Sequence, residues 1–235
     1  MDSPSADDTL PPAPAPEPPA AAVILAAGRS SRMGTTKALL PWGPRCLLAS
    51  WVLRFMELGV EPIAVVLGPD GALVQSAALA DLPADAPVVW VANPQPDTTG
   101  PRESLLLGLD ALPADRPAWF TPVDVPVVDA GALRAVAAGW GDALESREVE
   151  PLAAVPTFKG TGGHPVLAGP AFVARLFQGE PGDRIDELLA WATRRLVQVP
   201  VTTPRVLADM NTLADYHGAA PTGDVPPLPA GLRTE

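Results

Sequence analysis

The feature that most constrains the fold is a regular alternation between short apolar runs and longer amphipathic segments. The runs are apolar at every position, so they predict strands that are buried on both faces of a sheet. The longer segments carry apolar residues at helical spacing and predict helices that connect parallel strands. The sequence therefore predicts an α/β fold with a mainly parallel sheet and helices on both faces.

Strands are predicted at residues 21–26, 62–67, 88–91 and 118–121, and helices at 47–58, 72–80, 103–112 and 130–138. After about residue 150 the pattern predicts paired strands at 152–157 and 165–168, a helix at 185–191, a strand near 197–201 and a short helix after Asn211. Ligands of open α/β sheets bind beyond the carboxyl ends of the strands, so we expect the site at the strand exits.

Composition and the proline-rich ends predict one globular domain between two tails. Charged residues make up 18% of the chain and hydrophobic residues 47%, a balance that predicts a packed core rather than disorder. Proline is frequent in residues 1–20 and 218–235, which predicts flexible tails. The single domain is predicted at residues 21–217.

The charge excludes some partners. The chain carries 16 Lys and Arg against 27 Asp and Glu, a net charge of −11, so we expect neither nucleic acid nor an anionic membrane as a partner. The longest apolar run, residues 20–27, is too short to span a bilayer, and the N-terminus lacks the positive start of a secretory signal. The single cysteine, Cys46, fits a reducing compartment and is expected in the core. A cytoplasmic protein is predicted.

A loop rich in glycine and basic residues follows the first predicted strand, and its sequence is Leu25-Ala26-Ala27-Gly28-Arg29-Ser30-Ser31-Arg32-Met33-Gly34-Thr35-Thr36-Lys37. Glycines let backbone N–H groups approach an anion, and Arg32 and Lys37 supply the charge that a polyphosphate needs. The spacing matches neither the P-loop nor the G-x-G-x-x-G pattern. A surface loop with solvated charges is the alternative, but Lys37 is one of only two lysines in the chain, which favours a specific site.

Residues 25–42 resemble the nucleotidyltransferases of the molybdenum cofactor type, the MobA-like NTP transferases. They are most similar to the cytidylyltransferase branch, whose loop reads L-A-A-G-x-S-S-R-M-G-x-x-K-x-L-L-P. The resemblance implies a Rossmann-like three-layer fold with a mainly parallel, mixed sheet, and it implies catalytic roles for Lys37 and Arg32 on the phosphates of an NTP. The nucleotide-binding loop residues it implies are Leu25, Ala26, Ala27, Gly28, Arg29, Ser31 and Gly34. The triplet 26–28 favours CTP.

A carboxylate, Asp124, follows the fourth predicted strand. At about 4 Å from a phosphate charge it would be repelled by roughly 4 kcal/mol at an effective dielectric near 20. A bridging Mg²⁺ would make the same placement attractive. In the resembling family an Asp-x-Pro at this point is the metal-binding element, which implies both a metal and a catalytic role for Asp124. A helix cap or turn residue is the alternative.

A second metal element is implied near the C-terminus, where residues 206–215 resemble the family's D-I-D-T-x-x-D. Asn211 aligns with its second acid. An amide oxygen can still bind Mg²⁺, and related sugar nucleotidyltransferases have asparagine here; alternatively, Asp209 turns inward to help. Asn211 could instead cap the last helix, and both interpretations stay open.

Three further elements resemble the family's motifs. Gly163 and His164 match a Gly-His-Pro that could contact the phosphate of the acceptor, or His164 could cap the turn. Ser104 belongs to a G-x-x-x-S-L helix start near the base and ribose, although a serine there is also an ordinary helix cap. The segment 182–184 matches G-D-x-G-x-R only in part.

The function that the resemblance implies is Mg²⁺-dependent transfer of CMP from CTP to molybdopterin, with release of pyrophosphate. A first alternative is another small phosphorylated acceptor, such as a sugar phosphate or phosphocholine. A second alternative is a non-catalytic carrier that delivers a nucleotide or cofactor to a molybdenum oxidoreductase. The same kind of client protein is implied if the chain makes the molybdopterin cofactor.

Overall fold

The computed structural model describes residues 20–28, 36–96, 98–146, 150–180 and 183–221. Arg29, Ser31, Arg32, Gly34 and Gly182 lie outside these ranges, as do residues 1–19 and 222–235 of the two predicted tails. The strands are β1 (Ala21–Ala26), β2 (Pro41–Trp42), β3 (Arg45–Cys46), β4 (Ile63–Leu67), β5 (Val88–Ala92), β6 (Ala118–Pro122), β7 (Ala153–Phe158), β8 (Thr161–Gly162), β9 (Val166–Ala168) and β10 (Leu196–Pro200). The α helices are α1 (Leu47–Glu57), α2 (Gly71–Asp81), α3 (Pro101–Asp110), α4 (Ala130–Ser146), α5 (Pro170–Gln178), α6 (Ile185–Trp191) and α7 (Leu213–Ala219).

The central sheet is mixed and mainly parallel, with the strand order β10-β7-β9-β6-β1-β4-β5. Strand β1 pairs in parallel with β4 on one side and β6 on the other, and β4 pairs in parallel with β5. Strand β9 is antiparallel to both β6 and β7. The carboxyl ends of β1, β4, β5 and β6 therefore lie at one edge of the sheet.

Two apolar layers cover the sheet, one on each face. Along β1, Ala22 and Ile24 pack in the layer that contains α1, whereas Ala21 and Val23 pack in the layer that contains Leu105 of α3. This alternation is the two-residue period of a strand buried on both faces. The predicted three-layer α/β fold is confirmed.

The structure also contains elements that the sequence pattern does not predict. Helix α5 begins at Pro170 after Gly169, and the pairing of β2 with β3 is a hairpin of two residues a side, too short to show a period. Helix α4 continues to Ser146, and α7 ends at Ala219, two residues beyond the predicted domain boundary. No helix in the described part of the chain is long and apolar enough to cross a membrane.

Gly108 lets α3 approach the sheet closely. A Cβ at this position would lie 2.4 Å from Cγ1 of Val23 and 2.9 Å from Cγ2 of Val66. Both valines are fully buried, and β-branched side chains have little rotamer freedom to move aside. Helix α3 can therefore pack closely against β1 and β4 because Gly108 has no side chain.

We expect Gly108→Ala to destabilise the fold by about 1 kcal/mol. Overpacking costs about 1–3 kcal/mol, and the higher helix propensity of alanine offsets about 1 kcal/mol of that loss. Gly141, in α4, has nothing within 4 Å of an added Cβ. Gly141→Ala is the matched control and should stabilise the fold by about 0.5–1 kcal/mol. Chemical denaturation measures both, and equal gains for the two variants would contradict the packing argument.

Candidate active site

The carboxyl ends of β1 and β6 open onto a cleft of about 1270 Å³. This is the edge of the sheet at which open α/β folds bind ligands. Most of the predicted site residues that the structure describes line this cleft. They are Leu25, Ala26, Ala27, Gly28, Lys37, Ser104, Asp124, His164, Asp209 and Asn211. Lys37 and Asp124, which the sequence analysis expects in one pocket, thus lie in the same cleft.

The centre of the cleft is a contact among Lys37, Asp124 and Asn211. The Lys37 ammonium donates to Oδ2 of Asp124 at 2.8 Å and to Oδ1 of Asn211 at 3.0 Å. Lys37 begins a short 3₁₀ turn, Asp124 follows β6, and Asn211 precedes α7. Side-chain exposure is 13% for Lys37 and 26% for Asp124, so water screens this ion pair less than it would a surface pair.

Asp124 is not a helix cap. The cap of α4 is formed by Asp129, whose Oδ1 accepts the backbone N–H of Ala132 at 2.9 Å. The Asp124 carboxylate is left to face the cleft. The alternative interpretation of Asp124 as a helix cap is therefore wrong, but the residue does lie in the turn that follows β6.

Asn211 does not cap the last helix either. Thr212 is the N-cap of α7: its side chain accepts from the backbone N–H of Asp215, and the Asp215 carboxylate accepts from the backbone N–H of Thr212 at 2.8 Å. The side-chain amide of Asn211 is thereby available to Lys37. The capping alternative for Asn211 is wrong.

Met210 anchors the segment that carries Asp209 and Asn211. Its side chain is fully buried, and its backbone N–H donates to the carbonyl of Asp124 at 2.9 Å. Because the neighbours of Met210 on either side line the cleft, one buried residue directs two oxygen-bearing side chains towards Asp124. Sequence reasoning assigned no role to Met210, although a buried methionine between two polar residues could have suggested this one.

Asp209 and His164 face the same region of the cleft. Burial raises the pKa of Asp209, the negative charge of Asp124 raises it further, and His164 and Lys37 oppose the change. Burial lowers the pKa of His164, against the opposing charges of Asp209 and Asp124. The imidazole is therefore favoured in its neutral form beside two carboxyl groups.

The turn that carries His164 is packed tightly against the C-terminal segment. The backbone N–H of His164 donates to the carbonyl of Val206 at 2.8 Å, and a Cβ on Gly163 would lie 2.0 Å from that carbonyl oxygen. Gly163 is not among the residues that line the cleft. Its place in the structure is as a close-packing glycine behind His164. Within the described residues, the buried Nδ1 of His164 has no hydrogen-bond partner.

A second close contact holds the start of the Gly-rich loop. A Cβ on Gly68, which follows β4, would lie 2.4 Å from the carbonyl oxygen of Ala27. On the other side, the backbone N–H of Val123 donates to the carbonyl of Leu25 at 3.0 Å. Main-chain contacts from β4 and β6 therefore fix the exit of β1, and sequence reasoning missed Gly68 because its partner is distant in the chain.

The opposite wall of the cleft is built around Asn93, which follows β5 and was not predicted. Its side-chain NH₂ donates to Oγ1 of Thr99 at 2.9 Å and to Oγ of Ser104 at 3.0 Å. Gly100 is the N-cap of α3, and Glu103 accepts its backbone N–H at 2.8 Å, so Ser104 is not the cap. An asparagine close behind the apolar run that predicts this strand was the available signal.

Arg102 joins the start of α3 to the end of α5. Its guanidinium is buried and donates to the carbonyls of Leu176 at 2.5 Å and Glu180 at 3.1 Å. The chain then reaches Asp183 and Arg184, which line the cleft. Arg102 therefore supports the wall to which Asp183 and Arg184 contribute.

Comparison with known proteins agrees with the fold. Residues 22–199 match the MobA-like NTP transferase domain, which is more than half of the chain. The protein belongs to the MobA-like NTP transferase family, as the resemblance of its first loop implies. It is an enzyme of the nucleotidyltransferase class.

Two curated relatives are similar to parts of the chain. The bifunctional protein GlmU of Halorhodospira halophila is 36% identical over 136 residues, 57% of this chain and 27% of GlmU. A probable molybdenum cofactor guanylyltransferase of Rhodopirellula baltica is 33% identical over 126 residues, 52% of this chain and 56% of the relative. The chain thus spans about a quarter of the length of GlmU and about half that of the guanylyltransferase.

Solved structures share the fold over most of the chain. A nucleotidyl transferase from Methanothermobacter thermautotroptrophicus has a TM-score of 0.69 and 24% identity, covering 86% of this chain and 96% of that one. Rv0371c of Mycobacterium tuberculosis, in complex with manganese, has a TM-score of 0.62 and 23% identity, covering 86% of this chain and 97% of that one. At these identities the likeness establishes the fold.

The environment of Asp209 generates a prediction about stability. The folded state raises the pKa of Asp209 above that of the unfolded chain, so the stability it contributes is present below a pH of about 4 and is lost as the pH rises. In metal-free buffer, Asp209→Asn should therefore raise the free energy of unfolding at pH 7, and this gain should vanish near a pH of about 3.

Urea denaturation at both pH values measures the difference. Asp85→Asn, at an exposed position before β5, is the control and should change stability by less than about 0.5 kcal/mol at either pH. A loss of stability in Asp209→Asn at pH 7 would show that attraction from Lys37 and His164 outweighs burial and the charge of Asp124.

Proposed function

We propose that the protein transfers CMP from CTP to the phosphate of a molybdopterin-type acceptor, with Mg²⁺ as the metal, and releases pyrophosphate. The observation that carries the proposal is the placement of Lys37 2.8 Å from Asp124 in one cleft at the carboxyl ends of β1 and β6. A cation for phosphates and a carboxylate for a metal are thereby next to each other. Nucleotidyl transfer needs this pairing of charges more than it needs a nucleophilic side chain.

The donor atoms of the cleft fit Mg²⁺. Asp124 and Asn211 direct oxygen atoms at the Lys37 ammonium, so they already hold one cation between them. Asp209 adds a carboxyl group close enough for the charge of Asp124 to raise its pKa. Oxygen ligands, with one or two carboxylates and the remaining positions left to water and substrate phosphates, are what Mg²⁺ prefers.

The described residues contain no cluster of three or more His, Cys, Asp or Glu side chains that could hold a metal by themselves. This agrees with a metal that binds together with the nucleotide, because Mg²⁺ in such sites takes part of its coordination from substrate phosphates. When bound, the ion would neutralise phosphate charge. Asp124, with Asn211 or Asp209, would hold it.

The other predicted site residues would bind and orient the substrates. The backbone at Ala26, Ala27 and Gly28, together with Arg29, Ser31, Arg32 and Gly34, would surround the triphosphate as an anion-binding loop. Lys37 and Arg32 would hold phosphate oxygens by charge-assisted hydrogen bonds. Leu25 and Ser104 would line the nucleoside part of the site, and the neutral His164, placed by Gly163, would meet the acceptor.

The reaction then requires alignment of the substrates and neutralisation of phosphate charge. An oxygen of the acceptor phosphate attacks the α-phosphorus of CTP, a new P–O bond forms, and the P–O bond to the departing pyrophosphate breaks. No enzyme nucleophile takes part, so Cys46 has no role, in agreement with burial that raises the pKa of its thiol to about 11. Holding the reacting groups in line lowers the barrier by removing their freedom to move apart.

The preference for CTP rests on the triplet Ala26-Ala27-Gly28, where the guanylyltransferases carry Ala-Gly-Gly. Ala26 and Ala27 line the cleft at the exit of β1. The methyl group of Ala27 restricts the backbone conformations of this stretch more than a glycine would. We take this as support for a pyrimidine nucleotide.

A sugar phosphate is the second candidate acceptor, and Asn211 is the observation that favours it. Related sugar nucleotidyltransferases carry asparagine at the aligned position, and Oδ1 of Asn211 is directed to the centre of the cleft. Both candidates use the same donor half of the site. Screening acceptors with CTP and Mg²⁺ separates them.

Asp124→Asn should reduce pyrophosphate release from CTP by about 100-fold or more, because it removes the carboxylate next to the phosphates but keeps the shape of the side chain. A coupled assay for pyrophosphate, with acceptor and Mg²⁺ present, measures the rate. Asp142→Asn, on the outer part of α4, is the matched control and should keep the parent rate. Release at the parent rate by Asp124→Asn would overturn the mechanism.

CTP should stabilise the protein against heat more than GTP does when Mg²⁺ is present. A tenfold preference in Kd corresponds to about 1.4 kcal/mol of additional stabilisation when both nucleotides exceed their Kd. Differential scanning fluorimetry with CTP, UTP, GTP and ATP measures the order. A larger shift with GTP would instead favour guanylyl transfer.

A further inference from the structure

The orientation of the Asn93 side chain is fixed by its neighbours. Its Oδ1 accepts the backbone N–H of Gln95 at 2.9 Å, and an N–H can only donate. The NH₂ group must therefore point the other way, at the hydroxyl oxygens of Thr99 and Ser104. Asn93 is 5% exposed, so leaving any of these polar groups unpaired would be costly.

This orientation determines what the two hydroxyl groups can do. Both accept a hydrogen bond from Asn93, so each must use its own hydrogen elsewhere. Thr99 donates its hydrogen to the carbonyl of Gln95 at 2.7 Å. Within the described residues the Ser104 hydroxyl has no acceptor, and Ser104 lines the cleft. The Ser104 hydroxyl thus presents a donor to whatever the cleft binds.

We propose that Asn93 is a positioning residue that sets the Ser104 hydroxyl as a hydrogen-bond donor to an acceptor atom of the nucleobase, and so contributes to nucleotide selectivity. This inference rests on the proposed function. It adds a residue that acts through Ser104 and gives that contact a direction, from protein to base.

The chemistry of this wall favours the nucleoside over the phosphates. The ammonium that would hold phosphate is that of Lys37, which is paired with Asp124 at the carboxyl ends of β1 and β6. On the Asn93 side, Ser104 and Thr99 are neutral, and the guanidinium of Arg102 donates to main-chain carbonyls. The charged side chains on this side are the Glu103 carboxylate, which would repel an anion, and Arg184, which is paired with Asp186. A neutral ring with carbonyl or ring-nitrogen acceptors is a better match for such a wall than an anion.

The test compares the parent, Asn93→Asp, Ser104→Ala and the double variant. Asparagine to aspartate keeps the shape and the bond from Gln95, but replaces the donor NH₂ by an acceptor oxygen. The Ser104 hydroxyl would then donate to the new carboxylate and offer only lone pairs to the cleft. Isothermal titration with CTP, UTP, GTP and ATP in Mg²⁺ gives the four Kd values for each protein.

We expect both single variants to bind the preferred nucleotide about tenfold more weakly, the loss of one hydrogen bond. Their ratios of Kd among the four nucleotides should change, and the double variant should bind about as weakly as the weaker single variant, because both act on one contact. Equal weakening for all four nucleotides, or losses that multiply in the double variant, would overturn the proposal by showing a merely structural role.

Gln198→Glu makes the same amide-to-carboxylate change at an exposed position on β10, at the far edge of the sheet, and should keep all four Kd values. If Asn93→Asp does not fold, Ser104→Ala decides alone. The proposal then requires that the four Kd values of Ser104→Ala differ less from one another than those of the parent. An equal rise in all four Kd values overturns it. A parent chain that binds no NTP overturns the proposed function together with this inference. A parent that binds and transfers, with unchanged ratios in the variants, overturns the inference only.

Discussion

The structure of the site depends on one ion pair, between Lys37 and Asp124, which Asn211 completes. These residues are far apart in the chain and meet because β1 and β6 are parallel neighbours with their carboxyl ends at one edge of the sheet. A slip of one residue in that pairing would turn alternate side chains to the other face and separate the loop after β1 from the carboxylate after β6. The register of two buried strands is thus also the geometry of the charged centre.

Main-chain hydrogen bonds transmit that register to the rest of the cleft. The carbonyl of Asp124 accepts from Met210, and the carbonyl of Val206 accepts from His164. The turn before β9 and the segment before α7 are therefore fixed to β6 through their backbones. This arrangement requires glycine at position 163, because a Cβ there would lie 2.0 Å from the Val206 carbonyl oxygen.

The sequence predicted most of the fold because strands buried on both faces leave an unmistakable apolar pattern, as at Ala21–Ala26. The strand-exit rule also placed Lys37 and Asp124 in one cleft. It could not predict the role of Asn93, which comes from partners on a loop and a helix. Nor could it predict the caps at Thr212 and Asp129, which exclude the capping alternatives for Asn211 and Asp124. Helix α5, which begins at Pro170 after Gly169, was also missed.

The departure at Asn211 removes one negative charge from the cleft but keeps a side-chain oxygen there. Asparagine there supplies an oxygen without a charge, whereas Asp209, two residues earlier, brings a carboxyl group to the same region through the buried anchor Met210. A third carboxylate at position 211 would add repulsion to a centre in which the charge of Asp124 already raises the pKa of Asp209. With an amide at position 211, the Lys37 ammonium is held between one charged oxygen, of Asp124, and one neutral oxygen, of Asn211. Fewer negative charges therefore face this one cation than an acid at 211 would give. Under the proposed function, this balance lets one cleft accept both a polyphosphate and its metal.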